Sequence, residues 1–549
     1  MSTASRSRPN GTAIVVGSGP AAVGTTLALI DAGVDVTVVD LGTRLEAERR
    51  ETIDRLSDLD PRLWLGEDLR HITEQPTESA VKGLPEKRSY GSDYPFRDVG
   101  QLAGIETRDG VNRSVVSSAF GGFSNVWGSQ VMPFTAATFD RWPVSFDDME
   151  PHYRSMLDHI PFAGEDDDLA ADFPLIGDGS PLPQLSDRSA AVLDAYARHR
   201  ATFHRRGIRL GRARLAFSSP DCIRCGMCMT GCPTQLIYSA SHSMDRLRAD
   251  GSIRYLDGLL AIDVREDETG AHLTARSTAD GTQHHFDADR IFLACGAMGT
   301  TRLAAGSLGL VDRPISMQES VQFMLPFVSR RPTSDPRFQD HFTLNQFNMV
   351  VTLDDEAFDV SQLHFYAYND AFPDELPGIF QSAPGRPIGA YLMRHLSVAL
   401  GYLPSWASPR LEARVRAPGA DGLAGLELSR ETPQWTRNRM LRTVLRRVAR
   451  AAPRLDLWPV IPAINLAAGG KSYHWGSSFP MSDAATDATT DRLGRLGPWQ
   501  NIHLVDASTF PNVPSTTFTL TIMANAHRIA TETMRHAGVA PTSGAVTSS

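Results

Sequence analysis

Four of the five cysteines lie within eleven residues, at Cys222, Cys225, Cys228 and Cys232, and Pro233 follows the last of them. The spacing C-x2-C-x2-C-x3-C-P is that of bacterial ferredoxins, in which a short loop aims successive thiolates at one cubane. It predicts a 4Fe-4S cluster. Because there is no second run, the fourth ligand is either Cys232 turned inward or the remote Cys295, and a three-cysteine 3Fe-4S centre is the other form. Cys295 ends an apolar run, where free cysteine behaves as a small hydrophobe, so Cys232 is the preferred ligand. A structural zinc site and a metal-free loop are the competing readings.

A second signature opens the chain. The apolar run TAIVV (12–16) ends in Gly17-Ser18-Gly19-Pro20-Ala21-Ala22, and a helical pattern and a second apolar run, VDVTVVD, lead to Asp40. This is strand, tight glycine turn, helix, strand. Gly17 and Gly19 let the backbone approach a pyrophosphate, Ala22 lets helix pack on sheet, and Asp40 is placed to accept ribose hydroxyls. The pattern predicts a dinucleotide site. Farther on, Gly121, Gly122 and Gly128 interrupt the apolar stretch SSAFGGFSNVWGSQVMPF (117–134), as happens where backbone lies against a flat or phosphorylated group.

These groups need a large scaffold. A chain of 549 residues is several times the usual ~100–200 per domain, so two lobes with insertions are expected. With 42% hydrophobic and 21% charged residues the composition is globular, and a formal charge of −9 argues against nucleic acid as a partner. The opening MSTASRSRPNGTAIVVGSG lacks the apolar core and cleavage site of a signal peptide. No run approaches the ~20 apolar residues of a membrane helix, so no membrane insertion is expected and the predicted compartment is cytoplasmic. Reducing conditions there suit clustered cysteines as ligands rather than as disulfides.

Periodicity supplies the coarse elements. RLEAERRETIDRL suggests a helix, and IRYLDGLLAIDVRED, AHLTARST and QHHFDADRIFL read as strands. HFTLNQFNMVVTL and SQLHFYAYND alternate as half-buried sheet does, with His364, Tyr366 and Tyr368 on one face as pocket lining or as plain polar surface. WTRNRMLRTVLRRVARA (435–451) is an amphipathic helix with Met440, Leu441, Val444, Leu445 and Val448 inward. The last segment is a strand, a proline-punctuated loop and a long helix beginning near Thr516, where His527 reads as a packing residue and GVAPTSGAVTSS as a disordered tail.

GSGPAA, GGFSNVWG, FLACGAMGTTRL, YHWGSSFPM and VDASTFPNVPSTTFTLTIMANAHRIA, in that order, resemble the glucose–methanol–choline (GMC) family of flavin oxidoreductases over about half of the chain. The resemblance implies FAD rather than NAD. It also implies an α/β fold in which a Rossmann-like FAD-binding domain is assembled from separated segments, beside an α+β substrate domain with antiparallel sheet and a small iron–sulfur insertion. The corresponding division is 1–140, 241–312 and 463–538 for FAD, 141–205 for a cap segment, 206–240 for the iron–sulfur insertion, 313–462 for substrate and 539–549 for the tail. By resemblance, Gly17, Gly19 and Asp40 hold the ADP half, the loop Gly121–Gly128 with Gly122 and Asn125 approaches the isoalloxazine, and Asp506 and Ala507 meet the ribityl-pyrophosphate region. His474 matches the family's histidine over the reacting carbon. Where the family pairs it with Asn or His, this chain has Thr517, a hydroxyl that makes one hydrogen bond but is no acid or base near neutral pH.

The expected activity is dehydrogenation of an alcohol on a small polar substrate such as a sugar, polyol or aminocyclitol glycoside. Neutral histidine suits removal of the hydroxyl proton at pH 7. A flavin takes two electrons together whereas a 4Fe-4S cluster passes them singly, so a one-electron acceptor such as ferredoxin is the expected partner. The alternatives are an oxygen-using alcohol oxidase with a structural cysteine site, and an electron-transfer flavoprotein without substrate chemistry, to which Thr517 points.

Overall fold

The computed structural model describes residues 10–74, 88–97, 99–113, 115–336, 342–353, 359–367, 382, 384–430 and 438–539. Tyr368, residues 435–437 and the tail from 540 lie outside them.

The run TAIVV becomes the strand Thr12–Val16 at the centre of a five-stranded parallel sheet. Asp35–Val39 and Arg290–Leu293 flank it, with Arg254–Leu256 and Ile502–Leu504 at the edges. Ala13 to Val16 are all buried, as a parallel strand covered on both faces requires. The five strands come from segments spread over most of the chain, so this domain closes only when distant pieces meet. The tightest meeting is between the helices Pro20–Asp31 and Thr519–His536. A Cβ on Gly24 would overlap the carbonyl oxygen of Met523. That close approach sets how deeply the last helix sits against the first.

A seven-stranded sheet forms the second lobe, with Gln322–Val328, Leu396–Tyr402, Val360–Tyr366, Asn345–Thr352 and Ile208–Arg212 side by side in that order. All of these pairings are antiparallel. One face carries Leu325, Phe327, Phe347, Met349, Leu363 and Phe365, which pack on the helices Asp187–His204 and Arg439–Ala451. The amphipathic pattern of the second helix holds, with Leu441, Val444 and Val448 buried and Met440 and Leu445 at its half-buried margin. The other face is buried as well. Gln362 and His364 are essentially inaccessible, and His364 lines a cavity against the parallel-sheet lobe, the pocket-lining one of the two readings of this face.

A smaller sheet joins the two lobes, in the order Trp475–Gly476, Pro314–Glu319, Arg410–Arg416, Gly425–Arg430 and Ile105–Thr107. The last helix starts at Thr519, with Phe518 as its N-cap, rather than near Thr516. The Thr516 hydroxyl donates instead to Gln362 Oε1 at 2.9 Å, which holds that stretch in an extended form against the second lobe. Among the described residues, no helix is long and apolar enough to cross a membrane.

The contact at Gly24 gives a test. Gly24→Ala gains helix propensity but pushes a methyl into the Met523 carbonyl, and overpacking of that kind costs about 1–3 kcal/mol. Thermal unfolding should show a less stable protein, and a variant as stable as the parent would mean that the two helices slide apart at no cost.

Candidate active site

Three helices start at one cavity of about 230 Å³. They are Pro20–Asp31, Gly296–Ser307 and Thr519–His536. None has a capping side-chain hydrogen bond or an acidic residue in its first turn. Each therefore presents the positive end of its dipole toward the cavity, which favours a bound anion, although the buried Asp506 carboxylate already takes the Gly296 N–H of the second helix.

Glycine turns bring the backbone to the same space. Gly17 has φ 108°, and a Cβ there would strike the carbonyl of Ala294; Gly19 has nothing within 4 Å of its Cβ position. A Cβ on Gly122, at φ 58°, would lie 3.4 Å from Gly19 Cα, so the two turns face each other. Asp40 is raised to about 6 by burial, against the hydrogen bonds from Ser18 and from the Tyr255 hydroxyl at 3.0 Å. Asp506 accepts the Ser508 N–H at 2.9 Å and the Thr300 hydroxyl, and Ala507 lines the cavity beside it. Ala22 is wholly buried between helix and sheet. Gly128 also lines the cavity, close to the Tyr366 hydroxyl. Asn125 turns its amide to the Phe120 and Gly122 carbonyls at 2.9 and 2.8 Å, so it braces the glycine loop and lines a neighbouring cavity instead. The Gly121 N–H bonds Ser18 Oγ at 2.9 Å, tying that loop to the first turn. Three anion-seeking helix ends, two opposed glycine turns and a buried carboxylate fit a dinucleotide such as FAD.

His474 and Thr517 face the far end of this cavity, together with Gln130, His364, Tyr366 and Tyr402. The His474 ring stacks on Tyr402 (centroids 4.7 Å apart, 22° between planes) and meets Phe518 edge-on at 4.8 Å. Burial pushes the Tyr402 hydroxyl up, so it is neutral, and it accepts from Gln322 Nε2 at 2.6 Å. Thr517 Oγ1 is buried with no hydrogen-bond partner among the described residues. The polar wall comes from the sheet face carrying His364 and Tyr366, which makes both of them cavity lining. Gln130 and Tyr402 gave no local signal in the sequence, because they reach this wall from separate segments. His527, farther along the last helix, is buried against His152 with 2.7 Å between their Nδ1 atoms, and burial lowers it to about 4.

The cysteine segment lies beyond the glycine loop, along a second cavity of about 340 Å³ lined by Cys228, Cys232, Arg44, Arg50 and His242. Ser124, Val126, Trp127 and Gly128 line both cavities. All four thiols are free and half-buried. The Arg224 N–H points to Cys222 Sγ at 3.4 Å and the Thr343 N–H to Cys228 Sγ at 3.3 Å. Tyr90 donates to the Cys232 carbonyl at 2.8 Å, and its ring occupies the space a Cβ on Gly231 would need. Burial pushes Cys225 up to about 11 and Cys228 to about 12. Among the described residues, no group of three or more His, Cys, Asp and Glu side chains is arranged to hold a metal ion. Cys295 is elsewhere, at the start of the helix Gly296–Ser307 in the first cavity, with its Sγ donating to the Val16 carbonyl at 3.5 Å.

Residues 433–526 match the family model of GMC oxidoreductase. Similar solved structures include pyridoxine 4-oxidase from Mesorbium loti (15% identity, 96% of this chain and 100% of that one, TM-score 0.59). A formate oxidase variant from Aspergillus oryzae (14%, 97% and 100%, 0.60) and an FAD-dependent oxidoreductase from Chaetomium thermophilum (13%, 97% and 100%, 0.57) are others. At these identities the likeness is one of fold. No curated protein matches the chain by sequence. The family match falls on the segment that carries His474 and Thr517, and so places a GMC oxidoreductase signature at one end of this cavity.

Thr517 tests whether the cavity end is chemically active. Among the described residues its hydroxyl bonds nothing, so Thr517→Val should leave thermal stability unchanged or raised. If that hydroxyl meets substrate, the same change slows anaerobic bleaching of FAD by about ten-fold, within the roughly 1–3 kcal/mol of one buried hydrogen bond. Parental bleaching would make Thr517 a packing residue.

Proposed function

We propose that the protein dehydrogenates an alcohol carbon of a small polar substrate, a sugar, polyol or aminocyclitol glycoside, and delivers the electrons through a 4Fe-4S cluster to a one-electron acceptor such as ferredoxin. The observation that carries the reading is the convergence of His474, Thr517 and a polar wall on the cavity that holds the glycine turns and open helix ends. When bound, FAD supplies the acceptor for a hydride and the cluster supplies one-electron transfer. Gly17, Gly19 and Asp40 would hold the ADP half, and Gly122, Gly128, Asp506, Ala507 and the amides at Thr519 the remainder.

The chain's own part is to place and deprotonate the hydroxyl. His474, fixed by Tyr402 and Phe518, accepts the hydroxyl proton as the C–H bond breaks. Thr517 Oγ1 gives the same oxygen one hydrogen bond and sets its direction. Gln130, His364 and Tyr366 offer amide, imidazole and phenol groups to further hydroxyls, which favours a substrate rich in them.

Cys222, Cys225, Cys228 and Cys232 would ligate the cluster. Support comes from their spacing, from their free thiols and from the backbone amides already directed at two of the sulfurs, with the reducing cytoplasm as the fitting compartment. A second reading, an oxygen-using oxidase, is favoured by the two oxidases among the similar structures, and stoichiometric hydrogen peroxide with product would select it.

His474→Ala should slow anaerobic flavin bleaching by ~10²–10⁴-fold, roughly 3–5 kcal/mol of barrier, without loss of FAD. A rate within a few-fold of the parent removes the base. Anaerobically purified protein should hold about four irons per chain. Cys225→Ser should abolish the iron and its visible absorption while FAD stays bound, because the cradle for FAD is a separate set of residues; stoichiometric zinc in place of iron refutes the relay.

A further inference from the structure

Glu319 ends the strand Pro314–Glu319, wholly buried, and pairs with Trp475, the neighbour of His474. Its Oε1 accepts the Gly470 N–H at 2.9 Å and the Ser472 hydroxyl at 2.8 Å. Ser472 Oγ accepts the His474 N–H at 3.1 Å, and the Ser320 N–H donates to the His474 carbonyl at 2.8 Å. Between these anchors Tyr473 has φ 57°, the left-handed region that a bulky aromatic side chain avoids. A turn strained in this way persists only where its surroundings over-determine it. One carboxylate supplies two of those bonds.

We propose that Glu319 is the positioning residue for His474: its buried carboxylate locks the turn from Gly470 to His474 and so fixes where the imidazole stands in the cavity. The inference rests on the reading of His474 as the base. Burial raises Glu319 from the ordinary 4.5 to about 7, against the bonds from Ser472 and Gly470 and the charge of Arg430. Arg430 faces it from Gly425–Arg430; Arg410 stands opposite Gln318 on the adjacent strand, and the turn itself carries Lys471, Tyr473 and His474. The clamp therefore changes charge in the working range. Above about 7 it accepts as an anion, with stronger bonds, and below it as a neutral acid. Because the folded value is raised, the stability this group contributes is full below about 4.5 and is lost as pH rises through about 7.

The test compares FAD-loaded parent, E319Q, E319A, H474A and the double variant H474A/E319A by anaerobic flavin bleaching per bound FAD. E319Q keeps shape and an acceptor oxygen but not charge. Its rate relative to parent should fall about five-fold between pH 6 and pH 8.5, while its thermal stability relative to parent rises over the same interval. E319A should slow bleaching about ten-fold in the parent background, yet less than about two-fold in H474A, because the effect runs through the imidazole. Equal slowing in both backgrounds, or a flat E319Q ratio across pH, overturns the proposal. If E319A fails to hold FAD, the E319Q ratio decides. Slow H474A with fast E319A sinks the positioning role alone, whereas H474A at the parental rate sinks the base assignment on which it rests.

Discussion

Open helix starts are the constraint on which this structure depends. The first amides of an α-helix have no partner within it, and proteins normally cap them with a side chain. Three helices here begin at Gly19, Cys295 and Phe518 without a bond from the capping residue's own side chain and converge on one cavity, where Asp506 satisfies only the Gly296 N–H. Without a ligand that is an unfavourable concentration of positive dipole ends. The strands that feed two of these helices lie next to each other in the parallel sheet, and the third helix packs on the first through Gly24, so the convergence is built into the topology. A dinucleotide with its pyrophosphate satisfies what the protein leaves open.

The second lobe answers a different demand. Its large sheet has to be apolar toward its own helices and polar toward the cavity, although both faces are buried. Burying so many polar side chains is tolerable only when they bond one another. Asn345 donates to Gln130 Oε1 and, at 2.7 Å, to Asn348 Oδ1, while Gln362 takes the Thr516 hydroxyl. Gln130 Nε2 lies 3.3 Å from His364 Nε2. This network holds the wall opposite His474 in one arrangement, so that substrate meets groups already oriented. The cost of such preorganisation falls in folding rather than in the reaction.

What the sequence disclosed follows the range of the forces involved. The first glycine turn was legible because strand, turn, helix and Asp40 lie within thirty residues; the cysteine spacing is just as local, but among the described residues its thiols are not arranged to hold a metal ion. The alternation in SQLHFYAYND was visible too, but a polar face looks the same whether it meets water or a covered cavity. Only the docking of the two lobes settles that. The start of the last helix was displaced for a related reason: the Thr516 hydroxyl is drawn to Gln362 on the other lobe, and a partner so distant leaves no mark on local propensity. Asn125 resembled a ligand in a glycine loop, yet its amide completes the loop's own hydrogen bonds. Glu319 carried no signal, since its partners lie about 150 residues later in the chain.

The stretch from Ser124 to Gly128 gives the cysteine segment its meaning. It is wall to both cavities, and it is held from the cysteine side: Trp127 Nε1 donates to the Tyr238 carbonyl at 2.7 Å, and Ser124 Oγ accepts the Ala240 N–H at 2.8 Å. The same loop that lies over Gly19 is thus fastened to residues that follow Cys232 directly in the chain. The cysteine segment therefore bears on where that loop lies against the first turn, and one loop's thickness separates its cavity from the one that holds the glycine turns.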